Sequence, residues 1–108
     1  MDVDIERAEK IAALNDKFRC FSPFNVFMTR GVQSTLPDTM GLMQTIRDFN
    51  RFTDDNDPYG EHDFGSLKWH GEKVFWKIDY YDQALQYGKD PLDLECKRVL
   101  TVLLASEY

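Results

Sequence analysis

From Lys73 to Tyr81 two kinds of residue alternate: Val74, Trp76, Ile78 and Tyr80 lie between Lys73, Phe75, Lys77, Asp79 and Tyr81. A period of two puts the first set on one face of a strand and the second on the other. Just upstream, Leu67 and Trp69 alternate with Ser66 and Lys68, and His70-Gly71-Glu72-Lys73 offers a glycine suited to a primed turn. Residues 63–81 are therefore expected to form a β-hairpin. Setting His70 opposite Lys73 pairs Trp69 with Val74 and Leu67 with Trp76, so the large apolar side chains share a face. That face needs a covering layer, which the rest of the chain has to supply.

Helical periodicity appears on both sides of the hairpin. Residues 4–19 carry Ala8, Ile11, Leu14 and Phe18 at steps of three and four, the stripe of an amphipathic helix that Ser22-Pro23 ends. Asn25 to Val32 reads as a short strand closing near Gly31. Ser34-Thr35-Leu36-Pro37-Asp38 then has a hydroxyl cap, a proline for the first turn and an acid for the positive end of the dipole. Leu42, Met43, Ile46 and Phe49 would be the buried stripe of this second helix, which should run to Phe52 or Thr53. Downstream, Asp90, Pro91 and Asp93 look like a helix start, followed by Leu92, Cys96, Val99, Leu100, Leu103 and Leu104 at helical offsets. The expected fold is α+β: three helices packed on a small, mostly antiparallel sheet with a hairpin, in the order α-β-α-β-β-α, within one domain spanning 1–108.

Charge narrows the function classes. Thirteen Lys and Arg face nineteen Asp and Glu, a net charge of −6, which argues against direct nucleic-acid binding through clustered cations. No apolar run approaches the ~20 residues of a membrane span. The acidic opening Met1-Asp2-Val3-Asp4-Ile5-Glu6 does not resemble a signal peptide, so a cytoplasmic protein is expected. Cys20 and Cys96 are too few for a disulfide framework, and Cys96 falls on an apolar stripe as a buried thiol would.

The segment with the richest chemistry is residues 54–63, where five carboxylates and His62 fall together without a Lys or Arg. Asp55, Asp57 and Gly60 match three positions of a calcium loop, but the twelfth position is Ser66 where a bidentate Glu is needed; no metal or cofactor is expected. The chosen hairpin register pairs Phe64 with Asp79 and His62 with Tyr81, making His62 and Asp79 diagonal neighbours and candidates for acid/base chemistry. No nucleophile accompanies them. Turn chemistry also explains the Asp, Asn and Gly of this segment, because such side chains hold backbone N–H groups in loops. The exposed remainder, with Asp54, Asp55, Asp57, Tyr59, Glu61 and Tyr81, would be a partner-binding surface. Tyr81, Phe75 and Phe64 lie on the hairpin face opposite Trp69 and Trp76.

Asn56-Asp57-Pro58-Tyr59-Gly60-Glu61-His62-Asp63-Phe64-Gly65, Lys77-Ile78-Asp79-Tyr80-Tyr81-Asp82 and Arg98-Val99-Leu100-Thr101-Val102-Leu103 resemble a bacterial family known as domain of unknown function 3768. Ile11-Ala12-Ala13-Leu14-Asn15-Asp16 and Thr29-Arg30-Gly31-Val32 are similar to its N-terminal blocks. The resemblance implies a small standalone bacterial protein and supplies no catalytic residue, cofactor or substrate. Size and charge together favour a non-enzymatic acidic binding protein, such as an inhibitor of a nucleic-acid-directed defence enzyme of the anti-CRISPR or antirestriction kind, with a basic protein as partner. The alternative is a small hydrolase or metal-dependent enzyme centred on His62 and Asp79.

Overall fold

A computed structural model describes residues 2–108. The first helix, α1 (Asp2–Phe21), leads to a three-residue strand, β1 (Val26–Met28). Two short helices follow, α2 (Arg30–Thr35) and α3 (Thr39–Arg47). A long loop enters the hairpin strands β2 (Phe64–Trp69) and β3 (Glu72–Tyr81), and the last strand is β4 (Lys97–Leu104), followed by a 3₁₀ turn at Ala105–Glu107. The sheet order is β1-β4-β3-β2, antiparallel except where β1 runs parallel to β4. Three helices on a small, mostly antiparallel sheet are thus an α+β fold, as the sequence implies.

The hairpin forms with its faces as expected and its register moved by two residues. Leu67 pairs with Val74, Gly65 with Trp76 and Phe64 with Lys77, across a loop of His70 and Gly71 alone. Both loop residues take positive φ, 50° and 86°, which a type I′ turn demands at its two central positions. An even shift leaves every side chain on its face, so Trp76 is fully buried and Lys68 exposed on the other side. The shift also places Gly65 opposite Trp76, where a Cβ would collide with the indole.

The largest departure is residues 90–104, which read as a helix and are turns followed by β4. The Asp90 carboxylate does cap a turn, accepting from Leu92 N at 2.8 Å, but the chain turns again at Asp93 and then extends. As a central strand, β4 is buried on both faces. Val99, Leu100, Val102, Leu103 and Leu104 all fall inside, and the resulting apolar run lacks the alternation that marks a half-exposed strand. Tertiary position here overrides the helix propensity of leucine.

Smaller differences have equally local causes. The expected strand over 25–32 stops at Met28, because the Thr29 hydroxyl accepts from Val32 N and starts α2. The next helix is capped by Asp38, whose carboxylate accepts from Gly41 N at 3.0 Å; Ser34 and Thr35 belong to α2. It stops at Arg47, short of Phe52. A Cβ at Gly41 would meet the Asp38 carboxylate, which accounts for a glycine in the first turn. On α1 the buried side carries Ile11, Ala12, Asn15 and Arg19, while Leu14 turns outward. Cys96 precedes β4 as a half-buried free thiol, as Cys20 is on α1.

The core lies between the helices and the even-numbered face of β4, where Leu100, Val102 and Leu104 meet Val74, Trp76 and Ile78 of β3 and Val32, Leu36, Leu42 and Ile46 of the helices. Among the described residues no helix is long and apolar enough to cross a membrane.

Candidate functional site

The 54–63 loop is built around one carboxylate. Asp57 is buried, and its Oδ1 accepts from Glu61 N and His62 N, both at 3.1 Å. These two bonds hold the chain where His62 takes the left-handed region at φ 57°, two residues before β2 begins at Phe64. Asn56 secures the other side of the loop: its amide donates to Arg51 O at 2.9 Å and its carbonyl accepts from Thr53 N. Asn56 and Asp57 thus serve the fold, as turn chemistry predicts. Asp57 Oδ1 is thus committed to backbone donors, while the residue still lines the cleft between the loop and α1.

His62 does not pair with Asp79. The two-residue shift and the left-handed turn direct its ring to α1, where Nδ1 lies 2.9 Å from Asp16 Oδ1, and Nε2 lies 3.7 Å from Asp57 Oδ2. The ring stacks on Phe52 with centroids 3.8 Å apart and planes 3° from parallel. Asp79 forms an ion pair with Lys77 at 3.2 Å. Asp63, half-buried near Asp57 and Asp79, has its pKa raised, first by burial and then by the neighbouring carboxylates.

Behind His62 runs a polar network absent from the expected site. Arg19, buried on α1, donates to Asp16 and to the carbonyls of Ile46 and Phe49, and its guanidinium lies over the rings of Phe52 and Trp76. Fully buried Asn15 donates to Glu61 O at 2.9 Å and Tyr80 Oη at 2.8 Å, and accepts from Arg98 Nε at 2.7 Å. Burial pushes the Tyr80 phenol up to about 12, against the Asn15 bond that lowers it. Asn15, Asp16, Arg19, Tyr80 and Arg98 therefore clasp α1, the acidic loop, β3 and β4 together. The available sequence signal was Asn15 and Arg19, one and two steps of four beyond Ile11, polar residues on the buried stripe. Both nitrogens of His62 face carboxylates, and no Ser, Thr or Cys hydroxyl or thiol bonds to it among the described residues, so this arrangement holds the loop.

With the loop fixed from within, its other residues face solvent. Asp54 and Asp55 are exposed and make no hydrogen bond or ion pair among the described residues, and Tyr59 is 81% exposed. Asp54 and Tyr59 border a cleft of about 410 Å³ against α1, whose opposite wall is Asp4, Ile5, Ala8 and Glu9. Glu61 is half-buried with a pKa raised mainly by burial, and Tyr81, also half-buried, lies on the outer sheet face with Asp79 and Lys77. The described residues contain no cluster of three or more His, Cys, Asp or Glu placed to hold a metal ion.

A family profile described as "Protein of unknown function (DUF3768)" matches residues 28–107. Comparison with curated proteins and with solved structures gave no match.

Proposed function

This chain belongs to the DUF3768 family, and we propose that it is a non-enzymatic binding protein whose acidic cleft engages a basic protein. One observation carries the reading: Asp57 and Asn56 meet the loop's folding needs, leaving Asp54 and Tyr59 exposed beside Glu9, Asp4 and Ile5, with Asp55 exposed on the same loop. Carboxylates around an exposed aliphatic and an aromatic ring suit the head and stem of Arg or Lys side chains. The same chemistry fits the basic groove of a nucleic-acid enzyme, whose inhibition by charge mimicry is the specific activity proposed. The enzymatic alternative has less support, since His62 is held between Asp16 and Asp57 and Asp79 is paired with Lys77.

The test uses the triple variant Glu9→Gln, Asp54→Asn, Asp55→Asn. Exposed charges contribute little to folding, so its thermal midpoint should stay within a few degrees of wild type. A basic partner captured from the host should associate more slowly with the variant and show a flatter salt dependence, because steering follows complementary charge. Unchanged association kinetics at low and high salt would overturn the proposal, as would a captured partner whose nucleic-acid activity is unaffected by saturating wild-type protein.

A further inference from the structure

The two edges of the sheet are finished differently. At β1 the Met28 carbonyl is covered by the Gln33 amide at 2.7 Å. At β2 the backbone is open. Ile78 N donates to Asp63 O at 2.9 Å, and antiparallel pairs alternate between bonded and non-bonded. Gly65, Leu67 and Trp69 therefore bond to β3, while the N–H and C=O of Phe64, Ser66 and Lys68 point away from the sheet. No hydrogen bond from elsewhere among the described residues reaches those groups. A groove of about 450 Å³ runs beside this edge, between β2 and residues 48–51. Phe49 and Leu67 supply its apolar lining, Arg51 and Lys68 its cations. Its one carboxylate, Asp48, is engaged by the Gln44 amide at 3.2 Å.

Charge says what the edge accepts. Lys68 stands directly opposite Lys73 across the hairpin, and neither forms an ion pair among the described residues. Like charges in that relation are destabilising, and an anion set between them removes the repulsion. With Arg51 on the opposite wall, the edge is cationic in a protein of net charge −6. A second copy would bring another Lys68 and Arg51 to the same edge. We propose that the β2 edge accepts an extended acidic peptide from a partner protein as a fifth strand, at a surface independent of the acidic cleft. The main chain of Phe64, Ser66 and Lys68 supplies the ladder, and alternate side chains of the peptide meet the groove and the lysines.

The probe is an end-capped peptide alternating valine and glutamate, titrated into the isotopically labelled intact chain, with a valine–lysine peptide as control. The glutamate peptide should shift the amide signals of Phe64, Ser66 and Lys68 and slow their hydrogen exchange about tenfold or more. N-methylating every second peptide amide should abolish binding in one phase and spare it in the other, since only one set of peptide N–H groups faces β2. This needs no change in the protein. Ser66→Pro should also weaken binding about tenfold or more while preserving the circular dichroism spectrum, because an outward N–H is not part of the ladder. The proposal fails if the lysine peptide binds as well, if both methylation phases bind alike, or if the shifts centre on residues 54–60. It also fails if the edge amides are already protected in a free protein that sediments as a dimer.

Discussion

Asn15 is a small residue with a large role: three bonds from one buried amide join α1 to the loop, to β3 and, through Arg98, to β4. Asn15→Ala leaves three half-buried partners without their bond, at about 1 kcal/mol or more each, so calorimetry should show the thermal midpoint falling by about 10 °C or more. Tyr80 gives the network a pH signature. Its pKa is about 12 in the folded protein and 10.0 for the free group. A raised acid favours the neutral form, so this stability is whole below pH 10 and is lost as the pH climbs towards 12. Urea unfolding across that range should show the decline, and Tyr80→Phe should flatten it. Asp63 behaves likewise at lower pH: burial raises its pKa, so Asp63→Asn should stabilise at pH 7, an effect that fades as the pH falls below the ordinary value of 3.8. The acidic loop and its turn-forming residues were legible in the sequence because Asx chemistry is local. The roles of Asp16 and Arg19 were not, because a side chain's partner across 46 residues, as for Asp16 and His62, depends on how α1 lies.

At the level of elements, the hairpin and β4 show what local pattern can carry. Alternation assigned the hairpin's faces correctly, since a face depends on parity alone; register depends on where the two-residue turn falls, and its positive-φ pair at His70 and Gly71, one residue earlier than Gly71-Glu72, moves the pairing by two. In β4 the signal itself misleads, because a strand buried on both sides presents a run that satisfies a helical stripe equally well. Gly65 gives a test of the observed register. Its Cβ position is filled by the indole of fully buried Trp76, so Gly65→Ala should cost about 1–3 kcal/mol through overpacking, read as a lower urea midpoint. In the expected register, with Leu67 beside Trp76, the same change would touch no indole.

For the whole molecule, a net charge of −6 hides a division. Lys68, Lys73, Lys77 and Lys97 share the outer sheet face, while Asp4, Glu9 and Asp54 line the cleft at α1. The α+β class was visible from the mixture of periods; the strand order was not, because no local pattern says that the last strand enters the middle. That position predicts where the fold is most durable: native-state hydrogen exchange should be slowest at Leu100 and Val102, buried between two strands, and fastest towards the start of α1. It also bears on how the protein is made. Synthesis proceeds from one end, yet β1 has no strand to lie beside until residues 97–104 arrive, some 75 positions later. On the ribosome, α1, β1 and the hairpin wait with their apolar sides uncovered, and arrested chains ending before Lys97 should be cut readily by protease. Chains extended until Leu104 clears the exit tunnel should resist, the whole sheet closing in one late step.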